Sequence, residues 1–197
     1  ALVFILERAA QAAEAEDPDQ AWTAAILALT RACGSEHIRP VVADLLPDRA
    51  ALDALPLGES PCGAAGLHGR VDQRRHFVTA AALRALSRRG PATGIGELKE
   101  LADMARPGNG FDFTDLVANQ SGIRMADAFL AAPPARWPDL IARIDGEDAI
   151  IAALDGVPGE MSRARFKAEI GGLDSPIYAE RMQDIERRID ALPLHRP

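Results

Sequence analysis

Aromatic residues are scarce in this chain: six Phe, two Trp and one Tyr make up 5% of its 197 residues. The 48% apolar content rests mainly on Ala and Leu, which favour helices and are weak strand formers. That balance excludes a β-rich fold and predicts an all-α one. Cysteine is nearly absent, with only Cys33 and Cys62, each followed by Gly. Neither has a Cys-x-x-Cys or Cys/His spacing, which excludes a zinc site built on them. They are either two buried thiols or one disulfide closing a long loop, worth about 3 kcal/mol. No apolar run reaches membrane-spanning length, and Ala1 to Leu6 is cut off by Glu7 and Arg8. An excess of basic charge is also missing: 22 Lys and Arg stand against 29 Asp and Glu, for a net −7. That balance disfavours nucleic acid and anionic membrane surfaces as general partners. Local basic groups exist at Arg70, Arg74 and Arg75, and at Arg84, Arg88 and Arg89. Arg88-Arg89-Gly90 sits where a helix should end, and cations suit that end of the helix dipole. Opening on Ala1 rather than Met, the chain reads as a fragment or a processed form.

The length fits a single domain over 1–197, large enough to bury roughly 70% of its extended surface. Helical patterns cover 2–15 and 21–32, the second capped by Asp17-Pro18 and ended by Gly34. Shorter helices are expected over 35–46 and 48–55, completing an N-terminal helical layer over 1–55. Residues 56–70, rich in Pro and Gly, form the clearest irregular loop. Helices 71–88, 96–105 and 113–130 make up the segment 71–131, with a turn at 106–110 and Pro133-Pro134 as the stop. The remainder, 135–197, reads as a helical scaffold: 137–144, 147–154, 162–170, and a last helix capped by Ser175-Pro176. Ile177, Met182, Ile185 and Ile189 are expected on its buried side. The fold class is thus a compact all-α, multi-helix bundle with short connections.

Chemistry-bearing residues gather in the middle of the chain. On helix 71–88, His76 shares a mostly apolar stripe with Gln73, Phe77, Ala80 and Leu83. Glu100 and Asp103, three apart, share one face of the next helix; Asp115 and Asn119, four apart, share one face of the third. Asp112 is explained as an N-cap. Helices joined by short turns tend to pack antiparallel, which would bring the three faces together. Two chemistries suit such a set. A divalent metal held by His76, Glu100 and Asp103 would keep a position open for water. Alternatively, two carboxyl groups in different environments would act as acid and base. The competing account is a buried polar network that holds helix register without chemistry.

The same residues carry a family resemblance. Asp72-x-x-x-His76-Phe77, Lys99-Glu100-x-x-Asp103, Gly108-x-Gly110-Phe111-x-Phe113-x-Asp115-Leu116 and the later Gly122 resemble the signature of YfiM-type bacterial envelope lipoproteins. The likeness spans Asp72 to Gly122. It implies a Gram-negative exported protein in the periplasm, and it favours a Cys33–Cys62 disulfide over free thiols. His76, Glu100, Asp103 and Asp115 would be its shared polar set. The chain departs from the pattern in its long flanking helical regions, in lacking a lipobox cysteine, and in having Asn119 where an acid is expected.

The expectation is therefore a polar interhelical pocket acting on an envelope component or small molecule by carboxylate-based or metal-assisted hydrolysis. Glu100 would be the general acid/base, Asp103 and Asp115 the second carboxylate or ligand, His76 a ligand or orienting group, and Asn119 a substrate contact. The alternatives are a non-catalytic helical envelope protein and a cytoplasmic location. His37, His68 and His195 have no partner at ligand spacing and read as solvated or capping. Ser60-Pro61-Cys62-Gly63 lacks the context of a nucleophile elbow. Gly94-x-Gly96 lacks the preceding strand of a phosphate loop.

Overall fold

Capping residues set the start of four of the described helices. In the computed structural model, which describes residues 2–13, 17–34, 38, 42, 62–87 and 110–196, α1 covers Leu2–Ala13. Helix α2 (Pro18–Cys33) begins where the Asp17 carboxylate accepts the Asp19 amide at 3.0 Å, with Pro18 in the first turn. It ends at Gly34, whose N–H donates to the Thr30 carbonyl. Helix α3 runs over Val71–Ser87, and α4 over Phe113–Ala131 behind the Asp112 cap. Shorter elements follow: α5 (Trp137–Ala142), α6 (Arg163–Glu169, capped by Ser162) and α7 (Pro176–Asp190, capped by Ser175). The all-α expectation holds. The β structure among the described residues is a two-residue antiparallel ribbon, β1 (Gly110–Phe111) with β2 (Met161–Ser162), and an isolated antiparallel bridge between Leu67 and Arg70.

Several expected elements lie outside the described residues: the helix at 48–55, the helix at 96–105 with Glu100 and Asp103, residues 56–61 of the irregular loop, and the turn at 106–109. Of the helix expected at 35–46, Ile38 and Val42 are described; both are helical and buried.

One cluster of buried side chains links the described elements from Leu6 to Leu194. At one end Trp22 is fully buried and stacks on Phe129, ring centroids 4.5 Å apart, while Trp137 meets both rings edge-on. Trp137 reaches this place by donating its indole N–H to the carbonyls of Phe129 and Ala132, tying α5 to the end of α4. At the other end Phe111, Phe113, Phe166 and Tyr178 form a second aromatic group that joins β1, α4, α6 and α7. Seven of the nine aromatics of the sequence are thus spent as two knots.

Two sequence expectations are corrected. Residues 147–154 do not form a helix: a single 3-10 turn at Glu147–Ala149 gives way to an irregular stretch. Ala149, Ile150, Ile151 and Ala152 are all buried in succession. The Ala152 amide donates to Ser121 Oγ and the Ala152 carbonyl faces the His68 ring, so partners far away in sequence take the groups that a helix would pair within itself. Ile177 of α7 is 45% exposed rather than buried. The inward stripe is Tyr178, Met182, Ile185 and Ile189, and Ile177 falls one position off it, on the side of Arg181, Asp184 and Arg188.

Candidate functional site

The centre of the candidate site is the contact between α3 and α4, the most intimate helix pair among the described residues. Small side chains permit it: Ala81, Ala82, Ala118 and Ala126 are fully buried. At Gly122 an added Cβ would lie 2.2 Å from the Phe77 carbonyl oxygen, so the two backbones touch. His76 meets Asp115, Phe77 meets Gly122, and Arg84 meets Asp127. Numbers rise together along both helices, so α3 and α4 run parallel. Their N-terminal ends therefore lie side by side, and Asp72, Asp112 and Asp115 all sit in that positive region of the two helix dipoles. The antiparallel expectation concerned neighbours joined by short turns: helix 96–105, between these two, lies outside the described residues, and the first and third helices of such a run point the same way.

Among the described residues, His76 and Asp115 are the two candidate residues that the fold brings together. His76 Nε2 lies 3.3 Å from Asp115 Oδ2, and each side chain is 29% exposed. The other Asp115 oxygen accepts a hydrogen bond from Gln73 Nε2 at 3.0 Å. Gln73, fully buried, also donates to Thr114 Oγ1 at 3.3 Å, while its own carbonyl oxygen is buried without a partner. Thr114 Oγ1 accepts from Arg70 at 2.9 Å and donates to Asp112, whose carboxylate also caps α4 through the Thr114 amide. Arg70 forks onto Asp72. The result is a continuous polar chain across the helix pair, from Arg70 through Thr114 and Gln73 to Asp115 and His76.

Electrostatics sets Asp115 apart from its neighbours. Burial is the main cause that pushes its carboxyl above the ordinary aspartate range. Repulsion from Asp112 and Asp72 adds to this, while attraction to His76 and Arg70 opposes it. Asp72, fixed by hydrogen bonds from Arg70, is held below that range. Two carboxylates at neighbouring helix ends are thereby driven in opposite directions, as an acid/base pair requires.

Asn119 lies half-buried one turn beyond Asp115 on the same face of α4. Glu100 and Asp103, proposed as general acid/base and second ligand, lie outside the described residues. The sequence placed Gln73 on the His76 stripe but assigned it no role; an amide three residues before His76 was the available signal. Arg70 and Thr114 had no such signal, since each depends on contacts between segments far apart in the chain.

Arg74 is not part of a surface basic patch. It is 7% exposed and lies where α2 ends. Its guanidinium donates to the carbonyls of Cys33, Cys62, Gly63 and Ala65, and burial lowers its pKa from the usual arginine value. Cys33 and Cys62 form a disulfide at the same place, with Cα atoms 5.3 Å apart. Next to them lies a cavity of about 530 Å³. Leu2, Val3, Leu29, Phe77, Val78 and Ile150 give it an apolar lining, and Asp145 and Glu147 also border it. His76 and Asp115 do not line this cavity; their pair opens to solvent separately. His195, expected to be solvated, is half-buried, and burial lowers its pKa.

No protein-family model, curated protein or solved structure matches this chain. No helix among the described residues is long and apolar enough to cross a membrane.

Proposed function

We propose that this chain is an exported bacterial hydrolase in which His76, oriented by Asp115, activates water for attack on an envelope component. The observation that carries the reading is the His76–Asp115 pair itself, 3.3 Å apart, part-exposed and braced from behind by buried Gln73. In the neutral imidazole the Nε2–H donates to Asp115, which leaves the lone pair on Nδ1. Nδ1 takes a proton from water, the water oxygen bonds to the electrophilic centre, and the proton then passes to the leaving group. A carboxylate behind the imidazole stabilises the imidazolium formed in between. The Cys33–Cys62 disulfide supports an oxidising, extracytoplasmic setting. The resemblance of Asp72–Gly122 to YfiM-type envelope lipoproteins supports the same compartment.

A second reading, a non-catalytic helical envelope protein, is favoured by a different observation. The polar chain from Arg70 to Asp115 bridges α3 and α4 where their backbones meet at Gly122. Such a network fixes the register of two parallel helices without reacting.

Assaying ester, phosphoester, glycoside and peptide probes with wild type, His76→Gln and Asp115→Asn decides between them. The hydrolase reading expects turnover of one probe class and a fall in kcat/KM of about 10²–10⁴-fold in each variant, with folding retained. It is overturned if wild type turns over no class, or if both variants match it.

A further inference from the structure

A second group of ligating side chains lies away from the His76–Asp115 pair. Leu67 and Arg70 exchange both backbone hydrogen bonds around a two-residue turn, with His68 at φ 51° and Gly69 at φ 70°. Positive φ at both central positions defines a type I′ turn, and it projects His68 toward the segment that follows α5. There the His68 ring Nε2 lies 3.0 Å from the Ala152 carbonyl oxygen, and the His68 amide donates to Glu147 Oε2 at 2.9 Å. A carbonyl only accepts, so Nε2 carries the ring proton in the neutral imidazole and Nδ1 keeps the lone pair. Metal-bound histidines are oriented in this way, with the far ring N–H held by a backbone carbonyl. Ligand atoms of His68, Glu147 and Asp148 lie within 4.8 Å of one another. Both carboxylates are exposed, so small side-chain rotations close that span onto an ion with bonds of about 2 Å.

We propose that His68, Glu147 and Asp148 bind one divalent transition ion of the zinc class. The imidazole selects such an ion over calcium or magnesium, which favour all-oxygen shells. Three protein ligands leave a fourth position for water or an incoming ligand. Glu147 also borders the 530 Å³ cavity, so the ion would stand at the rim of an apolar chamber able to take a small ligand. It would also tie the turn before α3 to the buried stretch Ala149–Ala152. This site does not depend on the hydrolase reading of His76 and Asp115.

Calorimetric titration of the tag-free full chain with zinc chloride, with magnesium and calcium chloride in parallel, tests the site. Saturable binding of one zinc per chain is expected, weakened at least tenfold in His68→Asn and in Asp148→Asn and unchanged in His76→Gln. Asn tolerates positive φ, so His68→Asn keeps the turn and removes the imidazole. Asp148 is exposed, so its variant retains the fold if the first does not. The proposal is overturned if zinc fails to saturate, if magnesium or calcium binds as tightly, if neither variant changes the affinity, or if His76→Gln abolishes binding.

Discussion

Asp115 shows how one side chain is held in tension. Its carboxyl is partly withdrawn from water and faces Asp112 and Asp72, with His76 and Arg70 pulling the other way. The net effect is a folded-state pKa above the unfolded one. Its contribution to stability is then fully present below the unfolded pKa and is lost as pH rises through the folded value. At neutral pH the ionised group is a burden on the fold. Asp115→Asn keeps an acceptor for Gln73 and removes the charge. The variant should be more stable than wild type by about 0.5–1 kcal/mol at pH 7. The difference should vanish as the pH falls below the aspartate range. Urea unfolding at a series of pH values measures it, and a variant less stable than wild type at pH 7 would refute the account. A stabilising substitution that also abolishes turnover marks a group kept for function at some expense of stability. Sequence spacing identified His76 and Asp115, because helix period and residue type were enough. It could not identify Arg70 and Thr114, whose roles come from contacts 44 positions apart.

At the scale of elements, local capping chemistry was legible and the closeness of helix packing was not. Asp17, Asp112, Ser162 and Ser175 each accept an amide from the first turn of the helix they precede, and caps act within a few residues of sequence. The stretch 147–154 was misread as helical. Its Ala, Ile and Leu content fits a helix, but the Ala152 amide and carbonyl pair with Ser121 and His68, far away in sequence. The close backbone contact of α3 and α4 was equally hidden, since it depends on tertiary packing. Gly122 makes that pairing possible. In an isolated helix Gly122→Ala would gain about 1 kcal/mol from propensity. Here the added methyl meets the Phe77 carbonyl oxygen at 2.2 Å, and backbone atoms have no rotamer with which to yield. The variant should lose about 1–3 kcal/mol by overpacking, read as a lower denaturation midpoint. A neutral or stabilising result would mean that the helices stand further apart.

At the scale of the whole molecule, the end of α2 is joined to the turn segment before α3 by two devices. The disulfide Cys33–Cys62 spans 29 positions, and Arg74 gathers carbonyls from both sides of it. Closing a loop of that length in the unfolded chain is worth about 3–4 kcal/mol. The intact mass under non-reducing conditions should be lighter by two hydrogens than after reduction. Replacing both cysteines by Ala should lower stability by a similar amount. Two free thiols by titration would count against both the bond and the oxidising compartment.

The sequence by itself determined that the chain is helical, where most described helices begin and end, and that His76 and Asp115 share a neighbourhood. Composition, capping and the 3.6-residue period act locally, so they can be read from the letters. Only the tertiary structure decided that the backbones of α3 and α4 touch at Gly122, that Gln73 braces Asp115, and that His68 meets Glu147 across 79 positions. Those outcomes depend on which distant segments the core draws together. The scarce aromatics and the two cysteines show the division well. Their number spoke against a β-rich fold and a cysteine-built zinc site at the outset, while packing turned seven of the nine aromatics into two knots and the cysteines into a single bond.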